Sequence, residues 1–192
     1  MKYVSFTTAD GKAGFGRLNG ETITDLTATA ADLKTAINDG TLASLESDAT
    51  LALSDVTLAP VIPNPGKVFC VGHNYESHRQ ETGRAATDHP SIFVRFADSL
   101  SAHEQPIVMP KVSTQLDFEG ELAVIIGRKA QYVSQTDAMG VIAGYSIMND
   151  VSEREFQLER DGQWVKGKSF DTFAPLGPWL VTPDEVPAPQ DL

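Results

Sequence analysis

The chain has little cysteine, few basic residues and no long apolar run, and each shortage excludes a class of protein. Its one cysteine, Cys70, has no partner for an internal disulfide, so we expect a reducing, cytoplasmic location. The chain has 15 Lys and Arg residues but 26 Asp and Glu residues, and the resulting net charge of −11 argues against nucleic acid as a partner. No run of 18 apolar residues, the length of a transmembrane helix, occurs in the chain. The first residues also lack the apolar stretch of a signal peptide, so we expect no membrane partner.

Of the 192 residues, 41% are hydrophobic, which is enough for a real core. Residues 1–60 are predicted to form a small α/β module that ends at a linker punctuated by Pro60, Pro63 and Pro65. Its predicted elements are strands at 2–8, 14–18 and 22–25, and helices at 31–38 and 42–49.

Residues 61–192 are predicted to form a second, larger region in which apolar strands dominate. A helix is predicted at 152–159, where Ser152 and Glu155 have the spacing of a capping box. The predicted strands lie at 67–71, 92–96, 116–126 and 144–150. The whole chain is therefore predicted to be a β-rich α+β protein.

Three acids alternate at the start of one predicted strand: Asp117, Glu119 and Glu121. On a continuous strand they share one face, where like charges repel unless water or a cation separates them. A half-buried strand with a solvated face shows the same alternation, so both interpretations remain open for this segment alone. A second apolar strand ends at Asp150, which would add a ligand for a hard cation such as Mg²⁺ or Ca²⁺.

His78 and Glu81 are three residues apart, a spacing that places both on one face of a helical turn. A carboxylate beside an imidazole orients the ring and raises its basicity, as a general base requires. Taken alone, a His-x-x-Glu pair is more typical of a solvated turn in which the histidine has no role.

Four motifs occur in a fixed order along residues 60–192. They are Gly72-His-Asn-Tyr-Glu-Ser-His-Arg-Gln-Glu81, Asp117-Phe-Glu-Gly-Glu-Leu122, Asn149-Asp-Val-Ser-Glu-Arg-Glu-Phe-Gln157 and Lys166-Gly-Lys-Ser-Phe-Asp171. Together they closely resemble the fumarylacetoacetate hydrolase family, and residues 1–60 resemble the small domain that many bacterial members add. The resemblance implies a mixed β-roll of the fumarylacetoacetate hydrolase type for residues 61–192.

The resemblance also implies a role for each matched residue. A divalent cation, usually Mg²⁺ and sometimes Mn²⁺ or Ca²⁺, would bind to Glu119, Glu121 and Asp150, whereas Asp117 is not a family ligand. The implied catalytic residues are His78, Glu81 and Lys168, and the implied substrate-binding residues are Tyr75, Arg154 and Gln157. Arg95 stands where many members have lysine, and either reaches the substrate carboxylate or lies on an exposed face.

The resemblance implies hydrolysis of a carbon–carbon bond in a 2,4-dioxo acid by a homodimer. A decarboxylase or isomerase of the same family could use the same site, and a catalytically silent binding module is a further alternative. Family members continue beyond the point that corresponds to residue 192. We therefore expect residues 1–192 alone to be aggregation-prone and inactive, since open sheet edges promote association.

Overall fold

Strands outnumber helices in the computed structural model, which describes residues 1–83 and 85–192. The helices are short: α1 is Leu33–Asn38, α2 is Glu76–Glu81 and α3 is Val165–Lys168. The described strands are β1 Lys2–Thr8, β2 Ala13–Asn19, β3 Thr22–Asp25, β4 Thr50–Ala52, β5 Val56–Leu58, β6 Val68–Gly72, β7 Ser91–Arg95, β8 Leu100–Ser101, β9 Leu116–Asp117, β10 Gly120–Ile126, β11 Ile142–Asn149, β12 Ser152–Glu153 and β13 Ala174–Val181. The predicted β-rich α+β class is confirmed.

One nine-stranded sheet runs through most of the chain. Its main path is β10-β11-β13-β1-β2-β3-β4, with β5 paired to β1 and β8 paired to β13. Because β1 pairs with β13 as well as with β2, the sheet continues without a break between the first 60 residues and the later ones. The division into modules at residue 60 stays a prediction, although the sheet and the core cross it.

The main core lies where α1 covers the centre of this sheet. Leu33 and Ile37 of α1 pack with Tyr3, Phe15 and Leu180 from three neighbouring strands. The helix begins after Asp32, whose carboxylate accepts a hydrogen bond from the Thr35 N–H at 2.6 Å, as an N-cap does. Burial of these side chains fixes the register of the strands that lead to the site.

Two smaller units carry the remaining strands. β6 and β7 form a two-stranded antiparallel sheet, and β9 pairs with β12 in another. Helix α2 follows β6 after a short turn and buries none of its own residues. One of its attachments lies at its start, where the Tyr75 hydroxyl accepts a hydrogen bond from the Leu122 N–H of β10.

Two predicted elements have different structures. The predicted helix at 42–49 is reduced to a 3₁₀ turn at Leu42–Ser44, because the chain soon becomes extended: residues 50–52 form strand β4 and pair with β3. The predicted strand at 116–126 is broken at Phe118, because β9 pairs with β12 whereas β10 pairs with β11.

The predicted capping box is also wrong. Ser152 lies in β12, and its hydroxyl bonds to the Asp150 carbonyl and to Glu119. A π-helix, Glu155–Glu159, follows, and the Phe156 N–H at its start donates to Glu153 at 2.8 Å. The side-chain acceptor at this helix start is thus the buried Glu153.

The outer face of β10 and β11 is apolar and exposed. Val124 is 46% exposed, Ile126 55% and Ile147 64%, and β10 is an edge strand of the described sheet. Such an edge offers unpaired backbone groups beside apolar side chains and favours association. No helix among the described residues has the length and apolar character needed to cross a membrane.

Candidate active site

Three of the predicted residues converge where β10 begins and β11 ends. Gly120 lies opposite Asn149 in this antiparallel pair, so Glu119 and Glu121 flank the start of β10 beside Asp150. One carboxylate oxygen from each acid lies within 4.8 Å of the others. The Asp150 N–H donates to the Glu119 carbonyl at 2.8 Å and fixes the junction. The acids are brought together, and their role as metal ligands stays a prediction.

Buried cations hold two of these acids. Lys168, at the end of α3, places its Nζ 2.8 Å from Asp150 Oδ2 and 3.1 Å from Glu119 Oε1. Arg95 donates to Asp150 Oδ1 through Nε, at 2.6 Å, and through Nη2. Lys168 is 2% exposed and Arg95 is 3% exposed. Buried charges of this kind persist only when they are paired, and these pairs are compact.

Arg95 does not lie on an exposed face. Besides Asp150, its Nη2 donates to the Val151 carbonyl at 2.7 Å, while the buried Nη1 has no hydrogen-bond partner among the described residues. The sequence did contain one indication of this contact, a charged residue inside the apolar run at 92–96. If such a run is buried, its charged residue needs a partner. That partner lies 55 residues away, so the sequence could not identify it.

Glu121 differs from its two neighbours, because no ion pair to it occurs among residues 1–83 and 85–192. Burial, followed by the charges of Asp150 and Glu119, raises the pKa of Glu121 to about 7. Burial also acts on Glu119, but Lys168 and Arg154 outweigh it and hold the pKa of Glu119 below its ordinary value. Among the described residues, Glu121 is therefore the carboxylate of the three that has no direct ion-pair partner.

A divalent cation fits this donor set. Hard cations take carboxylate oxygens as ligands, and an added positive charge removes the repulsion that raises the pKa of Glu121. Glu119, Glu121 and Asp150 are the residues that would hold it. The chemistry of the three donors does not distinguish Mg²⁺ from Mn²⁺ or Ca²⁺.

Asp117 lies apart from the set, which corrects the expectation that it shares a strand face with Glu119 and Glu121. Its carboxylate accepts from Arg154 Nε at 3.0 Å and Nη2 at 2.7 Å. Burial would raise the pKa of Asp117, but hydrogen bonds from Arg154 and from the Phe118 N–H hold it below the ordinary value. Asp117 therefore balances Arg154.

The two predicted substrate-binding residues after β12 contact each other. Arg154 Nη1 lies 2.7 Å from Glu119 Oε1 and donates to the Gln157 side-chain oxygen at 2.8 Å. Gln157 is buried within the π-helix. Both residues therefore border the acids, and substrate binding by them stays a prediction.

The predicted dyad lies on α2. His78 is half-buried and Glu81 is exposed, and no hydrogen bond or ion pair joins them in the part of the chain that the structure describes. Tyr75, at the start of α2, accepts a hydrogen bond from the Leu122 N–H at 2.9 Å. The tyrosine therefore ties α2 to the strand that carries Glu121, and the catalytic role of the dyad stays a prediction.

Glu153 is a residue that sequence reasoning did not single out. It is fully buried and accepts hydrogen bonds from the Ser113 hydroxyl, from the Gln115 N–H at 3.1 Å and from the Phe156 N–H at 2.8 Å. The motif contained it without an obvious partner. Glu153 anchors the π-helix, and with it Gln157, against the loop before β9.

Two cavities open elsewhere in the described structure, with volumes of about 250 and 480 Å³. The first is lined in part by Tyr3, Leu42 and Arg128, and neither includes a predicted site residue. The acidic cluster is the stronger candidate, because it has convergent polar groups and a strongly perturbed carboxylate.

Comparison with known proteins gives consistent matches over most of the chain. The family described as fumarylacetoacetate (FAA) hydrolase C-terminal matches residues 67–192. A curated relative from Burkholderia cenocepacia (strain HI2424), which carries a provisional hydrolase name, is 43% identical over 175 residues, or 88% of this chain and 62% of the relative. The chain thus spans about three fifths of the length of the curated relatives that it matches.

Solved structures share both the fold and part of the sequence. A fumarylacetoacetate hydrolase from Exiguobacterium antarcticum matches with a TM-score of 0.82 and 34% identity, over 96% of this chain and 67% of that one. A 2-hydroxyhepta-2,4-diene-1,7-dioate isomerase from Mycobacterium marinum matches with a TM-score of 0.76 and 32% identity, over 95% and 66% of the two chains. The predicted family resemblance is confirmed, and the chain belongs to the fumarylacetoacetate hydrolase family.

Proposed function

We propose that this chain carries the site of a Mg²⁺-dependent hydrolase that cleaves a carbon–carbon bond in a 2,4-dioxo acid. The observation that carries the proposal is the convergence of Glu119, Glu121 and Asp150 beside the buried Lys168. The hydrolase name of the Exiguobacterium relative supports the reaction class. Because the chain spans part of its relatives' length, the proposal concerns the whole protein to which this site belongs.

A divalent cation held by the three acids would supply Lewis acidity and a point at which the carboxylate and neighbouring carbonyl of an oxo acid are chelated. Side chains of this chain would stabilise the enolate, orient the substrate and transfer the proton. Lys168 lies against two of the acids, where its ammonium can neutralise the enolate charge that bond cleavage leaves on the substrate. Arg154 and Gln157 border the same space and can orient the substrate.

The proton balance of the proposed reaction assigns a role to His78. Its imidazole takes a proton from water, and the resulting hydroxide adds to the carbonyl carbon at position 4 of the substrate. The bond between carbons 3 and 4 then breaks, which yields a carboxylic acid and the enolate of a 2-oxo acid. The enolate takes back the proton, so no oxidant or reductant is needed.

An isomerase is the second candidate, and the Mycobacterium relative named as a 2-hydroxyhepta-2,4-diene-1,7-dioate isomerase favours it. In that case His78 would move a proton from the enol oxygen to a carbon of an unsaturated hydroxy acid, which leaves a 2-oxo acid, without adding water. Assays of one whole protein against acylpyruvates and against unsaturated hydroxy diacids distinguish the two reactions. A carboxylic acid fragment appears only if the enzyme is a hydrolase.

Calorimetry tests the metal site without relying on turnover. We expect the chain extended to the length of the curated relatives to bind Mg²⁺, and to bind oxalate, which mimics the chelating end of an oxo acid, only when Mg²⁺ is present. The same titration in the presence of a chelator is the control and should show no oxalate binding. Failure to bind Mg²⁺, or equal binding of oxalate without it, would contradict the proposal.

Replacement of the proposed base should abolish turnover and spare the metal. In a chain extended to the length of the curated relatives, we expect His78→Ala to lower turnover by about 10²–10⁴-fold, the usual contribution of a general base. Mg²⁺ affinity should stay within about twofold, because the imidazole is not among the three donors. Ser77→Ala, at an exposed neighbour on α2, is the matched control and should keep its activity. Substantial turnover in His78→Ala would rule the histidine out as the base.

A further inference from the structure

Trp164 makes close ring contacts immediately before α3. Its ring centroid lies 5.2 Å from that of His73 at an interplanar angle of 89°, and 5.6 Å from that of Phe93 at 73°. A Cβ atom placed on Gly72 would lie 2.3 Å from the Trp164 ring, closer than real Cβ atoms come. The indole therefore occupies the space that any side chain at position 72 would need.

These contacts join two elements of the proposed site. Gly72 ends β6, and the next residue, His73, has a φ of +54°, which turns the chain toward α2 and His78. On the other side, α3 carries Lys168, whose Nζ lies 5.4 Å from the centroid of the same Phe93 ring that Trp164 contacts. One pair of aromatic rings thus supports both the start of the histidine-bearing segment and the site lysine.

Helix α2 buries none of its residues, and two of its anchors lie near its N-terminal end. One anchor is the Tyr75 hydroxyl on the Leu122 N–H, and the other is the contact of Gly72 and His73 with Trp164. A short helix held in this way opens locally at low cost when one anchor is lost.

We propose that Trp164 is a positioning residue that docks residues 73–82, and with them His78, at a fixed separation from Lys168 and the three acids. The consequence for catalysis rests on the function proposed above, whereas the docking itself can be measured without turnover. The ring contacts described for Trp164 are with His73 and Phe93, so we infer that it acts through the segment that it holds.

Hydrogen exchange of the chain extended to the length of the curated relatives tests the docking. The Arg79 N–H donates to the Tyr75 carbonyl, and the Thr82 N–H donates to the His78 carbonyl, so both amides report the opening of α2. We expect Trp164→Ala to speed exchange across residues 74–83 by about tenfold, as the loss of two aromatic contacts predicts. Exchange in β10 and β11 should stay within about twofold, and Trp164→Phe should keep most of the protection.

Two further variants make the test specific. Gly72→Ala changes the other partner of the contact between Gly72 and Trp164. It should also speed exchange in α2, because the added methyl group collides with the indole. In the combined variant the vacated indole space accepts the methyl group, so exchange should be no faster than in Trp164→Ala alone. Trp179→Ala, on β13, is the control and should leave α2 unchanged, since its described ring contact is with Lys2.

Three outcomes would overturn the proposal: unchanged exchange in α2, an equal increase in β10 and β11, or additive effects of the two substitutions. If Trp164→Ala does not fold, Gly72→Ala and Trp164→Phe decide the matter by the same comparison. Mg²⁺ calorimetry on these variants keeps the two proposals apart. A wild-type chain that binds no Mg²⁺ contradicts the proposed function, and the exchange result still decides whether Trp164 docks α2.

Discussion

Lys168→Met should lower the free energy of unfolding of the metal-free protein by about 3–5 kcal/mol, the usual effect of removing one partner of a buried ion pair. Methionine keeps most of the volume of the side chain but removes the ammonium that contacts both Asp150 and Glu119. Both carboxylates then remain buried with one cation fewer. Urea unfolding of the wild-type chain and the variant, without metal, measures the difference.

Lys166→Met provides the matched control on the same helix. Lys166 is exposed, and its ion pair with Asp161 spans 3.7 Å at the surface, so we expect a change within about 0.5 kcal/mol. Added Mg²⁺ should recover part of the loss in Lys168→Met, because it restores positive charge beside the two acids. A loss below about 1 kcal/mol would mean that Arg95 and Arg154 are sufficient countercharges for this cluster.

Glu121→Gln should have the opposite effect on the metal-free protein and should stabilise it. Because the folded state raises the pKa of Glu121 from 4.5 to about 7, it binds the proton more tightly than the unfolded state does. The contribution of Glu121 to stability therefore falls as pH rises between these two values. Glutamine does not titrate, so the variant should gain about 1–2 kcal/mol over the wild type above pH 7, after allowance for solvent screening, and little below pH 4.5.

The same substitution should weaken Mg²⁺ binding by at least about tenfold, because it removes one of three anionic donors. Thermal unfolding across the pH range, with and without Mg²⁺, measures both effects. Glu21→Gln, at an exposed position of the β2–β3 turn, is the control and should change neither. Equal responses of Glu121→Gln and Glu21→Gln to pH and to Mg²⁺ would contradict the assignment of Glu121 to the cation site.

Much of the fold follows from local patterns in the sequence. β1 has the predicted bounds, Lys2–Thr8, and the Asn19-Gly20 pair between two predicted strands forms the turn from β2 to β3, with Gly20 at a φ of +57°, which glycine adopts without a Cβ penalty. Predictions failed where a distant partner competes with local preference. Residues 50–52 pair with β3 directly after the segment predicted as a helix at 42–49, and Ser152 pairs with Asp117 instead of capping a helix.

The residues of the candidate site were likewise predicted in part. The motifs named the three acids and Lys168, and the structure brings them together, because the motifs lie where one strand begins and its neighbour ends. The sequence did not predict the contact of Arg95 with Asp150 or that of Glu153 with Ser113, because the partners lie about 40 to 55 residues away along the chain. In the described structure no hydrogen bond or ion pair joins His78 to Glu81. Whether one forms depends on side-chain geometry that a three-residue spacing does not fix.

The balance of charge in the cluster has a consequence for how strongly two ligands bind together. Four carboxylates meet three cationic side chains: Asp117, Glu119, Glu121 and Asp150 face Arg95, Arg154 and Lys168. Fully ionised, the cluster carries one net negative charge and repels anions, whereas a divalent cation would leave it with one net positive charge. A monoanionic acid then restores neutrality, so cation and acid should each strengthen the binding of the other by the same factor.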